Sequence, residues 1–242
     1  MLDKHRPNDR DRWARNTLLN QLGRDAATEL LSLAPPRQVP AGTVLLHQGD
    51  ASTRHAYVIR RARTNGTACV KITASLDNGA ETLLGIRLCG DVIGELGAVR
   101  GTPRSATATT CSDVVVHAIR GEDFVAFLNR FPEGWIALSN IIADQLEWAN
   151  QRRLDFTGYP VPVRLARVLL ALVERHGGAT QGGLTPGVTL SHDELGMLIG
   201  AGRDSIGQAI AKLKRMDLVR SSYRTVVIND LDRLRDYAAG PR

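Results

Sequence analysis

Residues 191–219 read SHDELGMLIGAGRDSIGQAIAKLKRMDLV, and this stretch decides how the rest of the chain is interpreted. Ser191 and Glu194 form the S-x-x-E pattern of a capping box, which predicts the first turn of a helix. The glycine-containing triplet at 200–202 predicts a tight turn, and a second helix is expected at about 203–216. Two short helices joined by such a turn predict a helix-turn-helix.

The residues around this motif predict a wing and two flanking helices. The segment LVRSSYRTVVI at 218–228 has the pattern of a strand, a four-residue polar turn and a strand. A last helix is expected after it, capped by Asn229 or Asp230. Upstream, RLARVLLALVERHG at 164–177 is amphipathic, and GATQGGLTPG at 178–187 is typical of a flexible loop. The C-terminal part therefore predicts a winged helix-turn-helix.

The basic excess of the chain concentrates on the second helix and the wing. The whole chain carries a net charge of +6, and its pI is about 9.6. In a helix-turn-helix, the second helix reaches base edges while basic residues around it neutralise phosphates. The charge and the motif coincide, so double-stranded DNA is the expected partner. Between residues 203 and 224 there are two acidic residues and six basic ones: Arg203, Lys212, Lys214, Arg215, Arg220 and Arg224.

The sequence pattern of the first half of the chain predicts an antiparallel β-roll. Short β-branched runs bounded by turn residues follow residue 43, and Asn78-Gly79 is a strong hairpin signal. Two short helices are expected within 13–34, and another is expected from residue 121. Strands and helices are thus segregated along the chain, which predicts the α+β class.

A long helix is expected to follow the β-roll. Its apolar stripe, with a period of 3.6, leads into the prolines of TGYPVPV, which end it. At about 1.5 Å per residue, a helix from Pro132 to Phe156 is about 37 Å long, more than one small domain requires, so it is expected to pair with a second copy. We therefore expect a β-roll with N-terminal helices at 1–131, a dimerisation helix at 132–158 and a DNA-binding domain at 159–242. The stripe comprises Trp135, Leu138, Ile142, either Gln145 or Leu146, Ala149 and Arg153.

A second informative stretch, GDVIGELGAVRGTPRSATATT, occupies residues 90–110 and is expected to form a strand, a loop and a strand. Gly94 lets backbone N–H groups approach a phosphate, Arg104 can pair with its oxygens, and Glu95 can accept a ribose 2′-hydroxyl proton. Ser105 offers a further donor. These groups suit a 3′,5′-cyclic nucleotide, although a salt bridge between Glu95 and Arg104 inside an empty roll would use the same residues.

Composition argues against several other functions. The chain is 43% hydrophobic and 23% charged, has no long apolar run, and begins with a charged segment that lacks a secretory signal's apolar region. A cytoplasmic protein without membrane contact is expected. Cys69, Cys89 and Cys111 stand about twenty residues apart, which fits neither a zinc site nor a disulfide framework, and the histidines are scattered. No metal is expected and, without a nucleophile elbow or a P-loop, no enzyme activity.

The order of elements, the 90–110 stretch and the 190–213 motif resemble the cyclic AMP receptor protein/FNR family of bacterial transcription regulators over residues 25–238. The resemblance implies a homodimer that reads near-palindromic DNA under the control of cyclic AMP or a related nucleotide. It also implies RNA polymerase as a partner, through the loop at 177–187. The N-terminal cysteine cluster of the FNR branch is absent, which argues against an iron–sulfur sensor. An alternative is a regulator of this family that binds DNA without a nucleotide or answers to a different small molecule.

The resemblance also assigns ligand-binding residues. Ala149 and Asn150 stand where the family has a Thr-Ser pair facing the adenine. Ala149 cannot hydrogen-bond a base, whereas Asn150 can both donate and accept, so a different base preference is expected. The implied ligand-binding residues are Gly94, Glu95, Leu96, Arg104, Ser105 and Asn150, of which Gly94, Glu95, Arg104 and Ser105 match the family's ribose and phosphate site.

The start of the expected recognition helix departs from the family's Arg-Glu-x-x-x-Arg pattern. The corresponding residues here are Arg203, Asp204 and Gln208. Arg203 retains the bidentate contact to guanine, Asp204 is one methylene shorter than glutamate, and Gln208 prefers adenine. Each pairing of a side chain with a base contributes about 1–3 kcal/mol of discrimination against the wrong base. We therefore expect a DNA half-site that differs from the usual family half-site at two positions. The expected DNA contacts are Ser191, Arg203, Asp204, Ser205, Gln208, Lys212, Arg220 and Arg224, with Ser191 and either Arg220 or Arg224 on phosphates.

Overall fold

The computed structural model describes residues 13–52, 54–62, 67–180, 182–222 and 225–240. The chain divides into two compact units. The first comprises Met1–Ser75 and Gly85–Asp144, and the second comprises Leu76–Leu84 and Gln145–Arg242. Within the described part of the chain, no helix has the length and apolar character needed to cross a membrane.

In the described part of the chain, twelve helices and strands precede the long helix. They are α1 (Leu18–Gln21), α2 (Arg24–Ser32), β1 (Pro36–Val39), β2 (Val44–Leu46), β3 (Ala56–Arg61), β4 (Cys69–Ser75), β5 (Glu81–Leu88), β6 (Val92–Ile93), α3 (Glu95–Arg100), β7 (Thr107–Thr110), β8 (Val114–Ile119) and α4 (Gly121–Arg130).

The strands form two antiparallel four-stranded sheets, ordered β1-β8-β3-β6 and β2-β7-β4-β5. Side chains alternate along each strand, so Val70 of β4 and Val114 and Val116 of β8 enter a shared core with Ile59 of β3. A second core of the first unit gathers apolar residues of the helices around the fully buried Phe124. The expected β-roll with flanking helices is confirmed.

The elements from the long helix onward are α5 (Pro132–Gly158), α6 (Val161–His176), β9 (Gly178–Thr180), β10 (Gly183–Thr185), α7 (His192–Ile199), α8 (Arg203–Arg215), β11 (Val219–Ser222), β12 (Thr225–Ile228) and α9 (Leu231–Ala238). The bounds of α5 agree with the expected 132–158. Asp230, rather than Asn229, caps α9, because its side chain accepts a hydrogen bond from the Arg233 backbone N–H.

The helix-turn-helix is confirmed as α7, a turn and α8. The capping box at Ser191 and Glu194 is complete, and Gly200 adopts the left-handed conformation (φ +64°) that ends α7. One face of α8 is buried within the second unit because apolar residues recur every three or four positions. That face comprises Ile206, Ala209, Ile210 and Leu213.

Two local predictions were wrong. The 90–110 stretch contains a short helix, α3, where only a loop was expected. The expected loop at 178–187 contains the hairpin β9–β10, whose Leu184 pairs with Ile228 of β12. In each case a long-range pairing or a single backbone conformation outweighs local composition. The expected wing strands are present as β11 and β12, and residues 223–224 of the turn between them lie outside the described residues.

Asp91 is a buried carboxyl group next to the candidate ligand residues. It is 8% exposed, and its Oδ1 atom has no hydrogen-bond partner among the described residues. Burial raises the pKa of Asp91 to about 6, although the positive charge of Arg87 opposes the rise. The folded protein therefore holds the Asp91 proton more tightly than the unfolded chain does.

This proton affinity predicts a pH-dependent stability. Because the folded-state pKa is higher, the contribution of Asp91 is most favourable below about pH 4 and is lost as the pH rises through about 6. The free energy of unfolding of the wild type should fall relative to that of Asp91→Asn by on the order of 2–3 kcal/mol across this window. Urea unfolding followed by circular dichroism at several pH values measures it. The exposed Asp77→Asn change is the control, and parallel profiles for the wild type and Asp91→Asn would contradict the assignment.

Candidate functional site

Gly94 lies between β6 and α3 in a conformation that most side chains disfavour. Its φ is +75°, in the left-handed region. A Cβ atom at Gly94 would lie 2.8 Å from Arg104 Nη1 and 3.0 Å from the His55 carbonyl oxygen. Gly97, in the first turns of α3, would place a Cβ atom 2.9 Å from the same Nη1. Two glycines therefore make the space that the Arg104 side chain fills.

Arg104 is buried, at 4% exposure, and its guanidinium is held by backbone carbonyls. Nη1 donates to Gly94 O at 2.7 Å, and Nη2 donates to His55 O at 2.8 Å. Nε has no hydrogen-bond partner among the described residues. Burial lowers the pKa of Arg104 from its ordinary value, and the electrostatic influence of Tyr57, Asp50 and Glu95 opposes this.

The Arg104 backbone is also anchored. Its N–H donates to Asp50 O at 2.9 Å, and its carbonyl accepts from the Gly49 N–H at 2.8 Å. The turn after β2 therefore fixes the position of Arg104. Gly49, Asp50 and His55 were not predicted from the sequence as part of this site, because they lie about fifty residues upstream and carry no motif.

Glu95 is the first residue of α3 and is 7% exposed. Burial raises the pKa of Glu95, while the positive charges of Arg87 and Arg104 oppose the rise. Among the described residues no ion pair joins Glu95 to Arg104, whose guanidinium instead donates to carbonyls. The direct salt bridge considered as an alternative from the sequence is therefore not what holds these two side chains.

The remaining predicted ligand residues lie in different settings. Ser105 and Leu96 are exposed in the first unit, and Leu96 is 36% exposed on α3. Asn150 is exposed on the part of α5 that belongs to the second unit. The structure thus gathers Gly94, Glu95 and Arg104 into one buried cluster.

The predicted base-reading side chains share the exposed face of α8. Arg203, Asp204, Ser205, Gln208 and Lys212 are all exposed, opposite the buried apolar face of this helix. Arg203 forms an ion pair with Asp193 at 3.2 Å, and both side chains are at least half exposed. Such surface pairs contribute about 0–1 kcal/mol, so Arg203 can exchange this partner for a base edge.

The predicted phosphate contacts flank this face. The Ser191 hydroxyl accepts from the Glu194 backbone N–H at the start of α7, and it keeps its own proton for donation. Arg220 is exposed on β11, whereas Arg224 lies outside the described residues. Within the described ranges, no group of three or more histidine, cysteine, aspartate or glutamate residues is arranged to hold a metal ion.

Comparisons with known proteins assign both units. The model of the cyclic nucleotide-binding domain family matches residues 36–131, and the model of the Crp-like helix-turn-helix domain matches residues 163–237. The CRP-like cAMP-activated global transcriptional regulator of Mycobacterium tuberculosis is 28% identical over 209 residues, which cover 86% of this chain and 90% of the relative. The cAMP-activated global transcriptional regulator CRP of Salmonella typhimurium is 25% identical over 191 residues, covering 78% and 87% of the two chains.

The fold is likewise shared with solved structures. A CRP-family transcriptional regulator from Thermus thermophilus superposes with a TM-score of 0.67 at 23% identity, over 84% of this chain and 97% of that one. The matched domains and relatives are those of transcription factors rather than enzymes. A β-roll with a cyclic nucleotide-binding signature and a Crp-like helix-turn-helix therefore occur in one chain. This chain belongs to the Crp/Fnr family of DNA-binding transcription regulators.

Proposed function

We propose that this chain is a homodimeric transcription regulator whose affinity for near-palindromic DNA is controlled by a cyclic nucleotide, with cyclic AMP the first candidate. The observation that carries the proposal is the cluster of Gly94, Glu95 and Arg104, in which a buried carboxyl group and a buried guanidinium are not ion-paired with each other. Two buried ionisable groups without a mutual salt bridge are costly to stability and typical of a binding site.

Arg104 has the donors that a cyclic phosphate requires. A guanidinium carries five N–H donors, and the two hydrogen bonds to Gly94 O and His55 O leave Nε and part of each terminal nitrogen for a ligand. Arginine donates in a planar fork that matches phosphate oxygens. Ser105, exposed next to it, adds a hydroxyl donor. We assign the phosphate to these two side chains.

Glu95 is suited to the ribose. A carboxylate accepts hydrogen bonds only, so a hydroxyl is the nucleotide group that it can hold without repelling the phosphate. Its fixed position at the start of α3 holds that acceptor rigidly. The family resemblance assigns the base to Asn150. Its amide both donates and accepts, so it can hydrogen-bond either adenine or guanine.

Removing the guanidinium should abolish tight nucleotide binding. The Arg104→Ala change leaves the phosphate charge unpaired and is expected to cost about 2–5 kcal/mol, at least about thirtyfold in affinity. Isothermal titration with cyclic AMP, and separately with cyclic GMP, measures the loss. Arg100→Ala, an exposed arginine at the end of helix α3 and four residues before Arg104, is the matched control and should bind as the wild type does.

Two outcomes would count against this part of the proposal. Undiminished nucleotide binding by Arg104→Ala would remove the cluster from the ligand site. No heat with either nucleotide in the wild type would favour the alternative, a regulator of the same family that needs no nucleotide or answers to another small molecule.

DNA reading is proposed for the exposed face of α8. Arg203 is the first residue of α8, and the N-terminal residues of recognition helices of this type contact base edges, which supports the proposal; Lys212 lies about two and a half turns further along. Arg203→Ala should lower discrimination at one guanine position by about 1–3 kcal/mol, whereas Lys212→Ala should weaken binding to all sequences and reduce the salt slope by about one. Fluorescence anisotropy with an operator selected from random DNA, and with point-substituted variants of it, measures both. Equal losses on all sequences for Arg203→Ala would contradict its base-reading role.

Dimerisation is proposed through α5. Large apolar side chains remain exposed along this helix, including Leu146 at 60% and Ile142 at 37%. A lysine in such a seam would bury an unpaired charge in the dimer. Leu146→Lys is therefore expected to raise the dimer dissociation constant by at least about tenfold, as measured by sedimentation velocity. Glu147→Lys, one residue further along α5 and off the stripe, is the control. Equal sedimentation of Leu146→Lys and the wild type would contradict the seam.

A further inference from the structure

Two of the three cysteines lie opposite each other on neighbouring strands of one sheet, although they are far apart in the sequence. Val70 of β4 pairs with Thr110 of β7, and continuing this register places Cys69 opposite Cys111. The backbone confirms the pairing, because the Cys111 N–H donates to Cys69 O at 2.9 Å. Direct partners on antiparallel strands direct their side chains to the same side of the sheet.

The typical spacing of antiparallel partners is compatible with the Cα separation of a disulfide. Hydrogen-bonded antiparallel partners have Cα atoms about 5.5 Å apart, and disulfides span Cα separations of about 4.4–6.8 Å. Cys111 follows the last residue of β7 and lies in a bend, so its backbone can adjust without disturbing the ladder. Both cysteines are reduced in the structure. Their side chains interact through a hydrogen bond.

The surroundings give the two thiols different roles. Cys69 is buried, whereas Cys111 is partly exposed. The hydrogen bond with Cys111 and burial raise the pKa of Cys69, so Cys69 holds its proton, whereas the more exposed Cys111 is the thiol that a dissolved oxidant reaches. The positive charge of Lys71, two residues along β4 on the same side as Cys69, opposes this rise in the pKa of Cys69 only in part.

Cys89, the third cysteine, lies in a different environment from Cys69 and Cys111. It belongs to the apolar core between the two sheets, and burial raises its thiol pKa. Among the described residues, no other cysteine lies in that core. Cys89 is therefore an inert structural thiol of the same chain and a built-in control for chemistry at the other two.

We propose that Cys69 and Cys111 form an oxidisable dithiol that hydrogen peroxide converts into a reversible intrachain disulfide. The Cys111 thiolate attacks one peroxide oxygen, an S–O bond forms as the O–O bond breaks, and hydroxide leaves. The Cys69 sulfur then attacks the Cys111 sulfenic acid, an S–S bond forms, the S–O bond breaks, and water leaves with the Cys69 proton. The hydroxide takes up the proton that the Cys111 thiol released, so the dithiol loses two electrons and one peroxide becomes two waters.

The experiment uses the full-length protein, reduced, desalted and treated with one equivalent of hydrogen peroxide under nitrogen. Remaining thiols are alkylated under denaturing conditions, and the non-reduced digest is analysed by mass spectrometry. We expect the number of alkylated thiols to fall from three to one, with Cys69 and Cys111 in one cross-linked peptide that dithiothreitol separates. Cys89→Ser should give the same cross-link, and Cys111→Ser should give none.

A second variant separates chemistry from packing. Cys69→Ala keeps a small apolar side chain at the buried position but removes the resolving thiol, so Cys111 should accumulate as a sulfenic acid that dimedone traps. If Cys69 were merely structural, the wild type would accumulate the same adduct as Cys69→Ala. The proposal is overturned if the cross-link is absent from the wild type, if it joins Cys89, or if it joins Cys111 of two chains.

Discussion

The first unit depends on the burial of one guanidinium against two backbone carbonyls. Arg104 donates to Gly94 O and His55 O, which ties the start of α3 to the segment before β3. A buried arginine is stable only where acceptors compensate for the lost water, and the carbonyls supply that compensation. The arrangement requires glycine at positions 94 and 97, because a Cβ atom at either would lie under 3 Å from the guanidinium. The same constraint leaves Nε and the neighbouring Glu95 carboxyl group for a ligand.

The second unit is organised around a different buried arginine. Arg164 of α6 donates to Ile199 O, the last carbonyl of α7, at 2.8 Å, and stacks on Phe156 of α5 at 5.0 Å. Phe156 in turn lies against Gly200, where a Cβ atom would be 2.8 Å from its ring. The end of α5 therefore touches the turn of the helix-turn-helix, which keeps α7 and α8 in a fixed geometry. A rigid turn presents the exposed face of α8 as one surface, as base reading requires.

Where the sequence-based expectations were wrong, the deciding interactions were distant or too short to leave a pattern. Six residues of α3 cannot show a helical period, and the left-handed conformation of Gly94 starts the helix. The 178–187 segment has the composition of a loop, but β12 offers it an edge to pair with. Cys69 and Cys111 looked unrelated at their spacing, and only the register of β4 against β7 makes them neighbours. His55 and Asp50 likewise contact Arg104 only in the folded chain, because about fifty residues separate them from it in the sequence.

By itself, the sequence determined the order of elements, the helix-turn-helix with its cap at Ser191, the length of α5, and Gly94, Glu95 and Arg104 as the candidate ligand residues. These are properties of local periodicity, capping and short motifs, which act between residues close together in the chain. Only the tertiary structure decided that Arg104 is held by backbone carbonyls rather than by Glu95, and that two cysteines share one strand pair. Such pairings depend on which strands become neighbours, and strand pairing is set by burial of the whole roll rather than by any single segment.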